Sequence, residues 1–290
     1  MNSTFAAITW DIDPIIFELG KLQIRYYGLL WGIGIWFAYA VCKKLFLNEK
    51  EDPKLLDPLL FACIIGGILG SRLGHVIFYQ SELFSEDFFS VFLPFSFKNG
   101  FEFTGFAGLA SHGGAAGLIL ALVWYKYKKS SHSFLWILDK VAFPIAITAF
   151  FIRIANFMNS EIVGNPTDSS FGIVFKRLKI YENGQFMGYE DFARYPSQLF
   201  EAFAYLLIFF LLKRMYWKGK AYLQEGKLIG TLLVTMFSAR FIIEFSKNSQ
   251  GGIEEYEALN IFSTGQWLSI PFIIVGGLLL YRIKKRKELN

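Results

Sequence analysis

Arg153, Asn156 and Asn159 recur at three-residue intervals with Glu161 just beyond, and Arg240, Glu244 and Lys247 recur at intervals of four and three. On a helix both spacings put the side chains on one face. An arginine presents a planar fork of donors that matches phosphate oxygens, so two such faces turned inward would suit an anionic phosphate group. Mutual neutralisation is the blander reading, Arg240 with Glu244 and Arg153 with Glu161. His112 lies in the small-residue run Gly108-Leu109-Ala110-Ser111-His112-Gly113-Gly114. An imidazole with a reference pKa of about 6.5 is a usable proton acceptor.

The elements that position these residues follow from composition. Of 290 residues 54% are hydrophobic, 33 are Phe, and only 18% are charged, where soluble domains have about a quarter charged. This is the composition of a membrane protein. Cys42 and Cys63 lie in apolar runs, which excludes a disulfide framework or a cysteine metal cluster. His75, His112 and His132 are too scattered for a metal site, and no metal or cofactor is expected. The sequence contains no His-Glu-x-x-His, Gly-x-Ser-x-Gly or P-loop motif.

Apolar runs of about 20 residues, the length that crosses a bilayer, fall at residues 22–46, 55–79, 104–125, 136–157, 198–212, 228–245 and 264–281. The expected fold is all-α and polytopic, a single integral membrane domain over 1–290 with seven transmembrane helices. Lys43, Lys44, Lys50 and Lys54 follow the first run, Lys126, Lys128 and Lys129 the third, Lys213, Arg214, Lys218 and Lys220 the fifth, and a basic cluster ends the chain. Glu82, Glu86, Asp87 and Glu102, and then Glu254, Glu255 and Glu257, mark the opposite connections. Basic residues stay in the cytoplasm, which places the N-terminus outside and the C-terminus inside. These runs read as membrane anchors, not as a nucleic-acid surface.

The first twenty residues lack a basic start and carry Asp11, Asp13 and Glu18, so they are expected to stay on the mature protein. Residues 165–196 form an expected small extracytoplasmic cap. Within it, residues 171–181 alternate as a strand does, and Asn183-Gly184 reads as a hairpin turn before Gln185.

Ionisable residues in a membrane helix are costly, about 2.5–3.5 kcal/mol each at its centre. Here they share a level: Tyr27, Arg72 and His75, His112, Arg153 and Asn156, Glu201, Arg240 and Glu244, and Gln266 all fall toward the outer ends of their runs. His112 is expected about eight residues, or roughly 12 Å, inside its helix. Such a layer implies a cavity open to the outer leaflet. Gly28/Gly32, Gly66/Gly70/Gly74 and Gly113/Gly117 read as helix-packing pairs.

The segment 153–164, Arg-Ile-Ala-Asn-Phe-Met-Asn-Ser-Glu-Ile-Val-Gly, resembles the signature of the prolipoprotein diacylglyceryl transferase family. The resemblance continues through Tyr26-Tyr27-Gly28, the Gly108–Gly114 run, Tyr195-Pro196-Ser197-Gln198-Leu199-Phe200-Glu201, Arg240-Phe241-Ile242-Ile243-Glu244-Phe245 and Gly265-Gln266-Trp267-Leu268-Ser269-Ile270-Pro271. The departures are Ile152 for a usual glycine, Tyr195 for a frequent histidine, Phe200 for a tyrosine and Lys247 for a frequent arginine. None of them removes a core polar group.

The resemblance implies seven helices, a bacterial inner-membrane location, and transfer of diacylglyceryl from phosphatidylglycerol to the lipobox cysteine thiol of a prolipoprotein signal peptide, with release of glycerol phosphate. By similarity, Tyr27, His112, Arg153, Asn156, Glu161, Gly164, Arg240 and Glu244 fall on positions the family relies on. Under this reading Arg153 and Arg240 hold the phosphate, Asn156 and Tyr27 orient the headgroup, and Glu161 and Glu244 fix the arginine forks. His112 is the candidate general base. Moving a thiol proton of pKa about 8.5 to an imidazole is uphill by about 2.7 kcal/mol; alternatively, the arginine field lowers the thiol pKa directly and leaves His112 a binding role. The competing classes are a transporter, disfavoured by the lack of internal repeats, and a non-enzymatic binder of anionic phospholipid.

Overall fold

The computed structural model describes residues 8–20, 22–93, 95–97, 101–103, 108, 110–182, 185–247 and 260–289. The chain is mostly helical. In order, the helices are α1 (Tyr26–Asn48), α2 (Leu56–Tyr79), α3 (Leu83–Glu86), α4 (Phe88–Phe92), α5 (Ser111–Lys129), α6 (Phe134–Met158), α7 (Ser197–Trp217), α8 (Lys227–Ile243) and α9 (Thr264–Leu289). Short strands precede and separate them: β1 (Ile8–Trp10), β2 (Ile15–Leu19) and β3 (Leu22–Arg25) before α1, then β4 (Phe95–Ser96), β5 (Glu102–Phe103), β6 (Ile173–Phe175), β7 (Lys179–Glu182), β8 (Gln185–Tyr189) and β9 (Ala193–Arg194).

Among the described residues, five helices are long and apolar enough to cross a bilayer: Tyr26–Asn48, Pro53–Tyr79, Phe134–Met158, Lys227–Ser246 and Thr264–Arg286. The architecture is that of a multi-pass helical membrane protein. Helices α5 and α7 fall at the third and fifth expected runs, but their last turns carry Lys126, Lys128 and Lys129 and Arg214. On α7 large apolar side chains face outward while polar ones are buried at its start. Phe203, Leu207, Phe210 and Leu211 are exposed, whereas Gln198, Glu201 and Tyr205 are buried.

The chain forms two compact units, Met1–Cys42 with Leu138–Asn290, and Lys43–Ile137. In the second, α2 and α5 meet backbone to backbone. A Cβ on Gly70 would lie 2.3 Å from the Gly113 carbonyl oxygen, and one on Gly117 would lie 2.1 Å from that of Gly66, so Gly66/Gly70/Gly74 and Gly113/Gly117 are packing positions, as expected, whereas a Cβ on Gly28 or Gly32 would meet nothing within 4 Å and that expected pair is not one. Buried Arg72 donates from Nη2 to the Ser90 carbonyl at 2.7 Å. Asp87 accepts the hydroxyls of Ser90 and Ser96, which holds its carboxyl below the usual range.

Helix α5 starts later than the apolar run predicts. Gly108 is left-handed at φ +81°, Ala110 is extended, and the Ala110 amide donates to the Ser71 carbonyl at 2.9 Å, so helical geometry begins only at Ser111. His112 therefore sits exposed in the first turn rather than eight residues inside. Residues 104–107 and Leu109 of the expected run lie outside the described residues, as do Glu254, Glu255 and Glu257. Helix α1 likewise starts at Tyr26, because β3 pairs with β2 in an antiparallel ribbon.

In the larger unit, α8 is anchored at its start by Asp139 of α6, whose oxygens accept the Gly226 and Ile229 amides at 2.8 Å each. This satisfies orphan donors of a helix N-terminus from a neighbouring helix. Helices α8 and α9 stack Phe237 on Phe272 at 4.2 Å. After α6 the chain enters a small β cap in which β1, β6 and β9 form one sheet and β7 pairs with β8. Its core places Phe157 and Phe175 against Trp10. The expected turn residues Asn183 and Gly184 lie outside the described residues, but the strands flanking them pair Glu182 with Gln185.

Candidate active site

The larger unit gathers its polar side chains where helices start or stop. Tyr27 is in the first turn of α1, Arg153 and Asn156 end α6, Glu201 begins α7, Arg240 ends α8, and Gln266 begins α9. Each helix end leaves unpaired backbone groups, which polar side chains can satisfy. Gln266 Nε2 donates to the Phe241 carbonyl at 3.2 Å and so ties α9 to the end of α8.

Arg153 lies at the centre of this layer. Its Nη1 donates to Asn156 Oδ1 at 3.0 Å, and its Nε lies 2.7 Å from Oε2 of Glu201, which is fully buried. Asn156 is bound by the Tyr27 side chain as well, and it donates from Nδ2 to Glu161 at 3.2 Å. Asn159 donates to the other Glu161 oxygen at 3.0 Å. Tyr205, one turn after Glu201, donates to Glu201 Oε1 at 3.3 Å and lies within the fields of both Arg153 and Arg240.

Glu161 is held by an unusual backbone. Ser160 and Ile162 on either side of it both adopt left-handed conformations, φ 55° and 57°. For a β-branched isoleucine this is strained by about 1–3 kcal/mol, a strain that persists only where surroundings over-determine it. Here the Glu161 amide donates to the Asn156 carbonyl at 2.9 Å, and Gln198 donates to the Glu161 carbonyl.

Gly164 closes the segment against both neighbours. Its amide donates to the Tyr195 carbonyl at 2.8 Å, its carbonyl accepts Arg194 Nη1 at 3.0 Å, and it forms a bridge with Lys247. A Cβ there would lie 2.5 Å from both Ser197 Oγ and the Ser246 carbonyl oxygen. Only glycine fits.

Two expected pairings are absent and others replace them. Glu161 holds Asn156 and Asn159 rather than Arg153, because the left-handed turn carries it back onto the amides. Glu244 pairs with Lys247 at 3.1 Å rather than with Arg240, because α8 ends at Ile243 and the next three residues tighten into a 3₁₀ turn. The partner of Arg153 is Glu201, whose role the sequence reading missed. Its signal was a carboxylate one turn into an apolar helix, in a run that otherwise offers it no cation. Lys247 was placed on a face with Arg240 and Glu244 but given no partner, yet its Nζ lies 3.0 Å from Glu201. The Arg240 side chain makes no hydrogen bond or ion pair to any described residue, and its Nε is buried without a partner. His112 belongs to the smaller unit.

This arrangement contains one neutralised arginine and one unsatisfied arginine around a tyrosine, with a second tyrosine and an asparagine beside them. It can bind an anion with oxygen acceptors. The sequence profile described as prolipoprotein diacylglyceryl transferase matches residues 14–282. The chain belongs to this family. A relative from Bacteroides fragilis, named phosphatidylglycerol–prolipoprotein diacylglyceryl transferase, is 40% identical over 292 residues and covers all of both chains. Relatives of the same name from Tolumonas auensis and Chloroherpeton thalassium are 38% and 35% identical. They cover 96% and 99% of this chain and 98% of each relative.

Proposed function

We propose that this chain transfers the diacylglyceryl group of phosphatidylglycerol to the thiol of a prolipoprotein lipobox cysteine, forming a thioether and releasing glycerol phosphate. The observation that carries the reading is Arg240, a guanidinium with a buried, unpartnered Nε in a layer whose other cations are already paired. An unpaired buried donor is unfavourable in the resting protein and becomes favourable when an anion arrives.

In this reading Arg240 and Arg153 hold the phosphate, while Tyr27 and Asn156 orient the glyceryl headgroup. The thiolate attacks the diacylglyceryl carbon attached to the phosphate oxygen. The C–S bond forms as the C–O bond breaks, and the electron pair passes to the phosphate ester oxygen, where the arginines stabilise it. His112 accepts the thiol proton. Glu161 and Gly164 hold the signature in shape, and Glu244 anchors Lys247.

We further read all seven long helices as spans, with the N-terminus and the 165–196 cap outside and the C-terminus in the cytoplasm of a bacterial inner membrane. The alternating basic connections support this orientation. A lipobox cysteine at the outer face would then meet the layer at its own depth.

The test is incubation of purified protein with phosphatidylglycerol and a lipobox peptide, with mass spectrometry of the peptide. A diacylglyceryl adduct formed by the wild type and lost in Arg240→Ala and Arg153→Ala supports the reading, and His112→Ala tests the base separately. Lipid binding without any adduct would instead favour a phospholipid binder, and lipid movement without chemistry a transporter.

A further inference from the structure

The buried carboxylate of Glu201 is divided between two cations. Oε2 lies 2.7 Å from Arg153 Nε, and Oε1 receives Lys247 Nζ at 3.0 Å. Lys247 reaches across to Glu244 Oε2 at 3.1 Å as well, with only 7% of its side chain exposed. Its backbone is fixed from several sides. The Asn165 amide donates to the Ser246 carbonyl at 2.8 Å, Ser246 Oγ lies 3.2 Å from Ser197 Oγ, and Lys247 itself bridges Gly164. The ammonium therefore stands where the signature, α7 and the end of α8 meet.

An arginine beside a lone buried carboxylate turns its fork to take both oxygens. Arg153 cannot do so here, because Lys247 and Tyr205 hold Oε1. We propose that Lys247 is a positioning residue that sets the affinity of the site for an anionic phosphate, by taking half of the Glu201 carboxylate so that the Arg153 fork is not drawn onto both of its oxygens. This rests on the reading of Arg153 as a phosphate ligand. A compact ammonium with three donors suits a bridge between two carboxylates better than a planar fork does. It also shares out the charges: Arg153 and Lys247 offset Glu201 and Glu244, the Glu161 carboxylate is taken up by the Asn156 and Asn159 amides, and Arg240 is left without an ion-pair partner among the described residues.

Losing Lys247 has two effects of the same sign. The set around Arg153 becomes net negative, and Glu201 is freed to draw in the guanidinium that the lipid needs. Adduct formation would be measured against the mole fraction of phosphatidylglycerol in mixed micelles, with thermal unfolding of each variant alongside. Lys247→Met is expected to raise the apparent KM for the lipid about tenfold, the effect of one unscreened contact of ~1.4 kcal/mol, with kcat within about twofold. Lys247→Arg, which keeps the charge, should restore most of the affinity. The double variant Glu201→Gln with Lys247→Met removes one charge of each sign and should recover affinity relative to Lys247→Met alone, which a merely structural lysine would not do.

If Lys247→Met does not fold, Lys247→Gln reads the loss of charge instead. An unchanged KM in the neutral variant, or a double variant no better than the single, overturns the proposal. Arg153→Gln separates the two levels. If it raises KM while Lys247→Met does not, only the lysine's role falls; if neither changes KM, Arg153 is not a phosphate ligand and both readings fall.

Discussion

Arg153 and Arg240 should respond to the same substitution with stability changes of opposite sign. Replacing Arg240 by Met removes a buried Nε that has no partner. An unsatisfied buried donor costs about 1–3 kcal/mol, and because Arg240 as a whole is only partly buried the lower end applies, so a gain of about 1 kcal/mol is expected. For a chain of this size that is a rise of roughly 2–4 °C in unfolding temperature. Replacing Arg153 by Met takes one of two cations from the fully buried Glu201. Orphaning a buried charge entirely costs about 3–5 kcal/mol; with Lys247 still in place about 2–3 kcal/mol is expected, a fall of roughly 4–12 °C.

The assay is thermal unfolding in detergent, run with and without phosphatidylglycerol. A ligand at a hundred times its Kd stabilises by about 2.7 kcal/mol, so the lipid should raise the wild-type transition by several degrees. It should do little for Arg240→Met, which would be more stable, blind to the lipid and inactive. The reasoning is refuted if Arg240→Met destabilises as Arg153→Met does, or if the lipid stabilises Arg240→Met as much as the wild type.

Gly164→Ala should abolish adduct formation, since its Cβ would lie within 2.7 Å of Ser197, Ser246 and Tyr195 at once; overpacking of about 1–3 kcal/mol should appear as a lower unfolding temperature, and an active, equally stable variant would contradict the geometry. Asp139→Ala should destabilise by about 2 kcal/mol through loss of two amide partners at the start of α8, with Asp139→Asn milder, and hydrogen exchange at residues 226–229 would localise the effect. Asp87 has its pKa lowered by the Ser90 and Ser96 hydroxyls. Its stabilisation is therefore present above the unfolded value near 3.8 and lost as pH falls below it, so residues 87–96 should exchange faster below that pH in the wild type and show no such pH step in Asp87→Asn.

The sequence carried the positions of the site better than its pairings. Arg153, Asn156, Glu201 and Arg240 were readable as one layer because a charged residue in an apolar run is conspicuous and helix ends can be counted. Their partners were not, because pairing depends on where helical geometry stops. Glu244 stands four residues after Arg240 and would face it on a continuous helix, but the helix tightens at that residue and hands it to Lys247. Glu161 was misassigned for a similar reason, since nothing in Ser160-Glu161-Ile162 announces two left-handed residues, one of them β-branched. The late start of α5 has the same origin: hydropathy continues through residues that the backbone spends in an extended segment held by Ser71. In the cap, the Asn183-Gly184 pair located the β7–β8 hairpin, but the alternating stretch 171–181 is not one strand: it turns at Lys176 and Arg177 and divides into β6 and β7, which belong to different sheets.

The strained turn and the divided carboxylate serve one end. A site for a phosphate diester must keep donors unsatisfied without letting the protein satisfy them itself, and the nearest carboxylates are the usual means by which it would. Glu161 is turned away by backbone strain and occupied by two amides, Glu244 is held by Lys247, and Glu201 is shared between Lys247 and Arg153. Each acid that could have closed onto Arg240 is thereby engaged elsewhere. The prediction that follows concerns headgroup charge: a zwitterionic phospholipid, whose ammonium would compete for the same acids, gains less from Arg240 than an anionic one. In competition assays phosphatidylethanolamine should inhibit weakly, and inhibition matching that of a non-reacting anionic analogue would show that the unpaired guanidinium does not select.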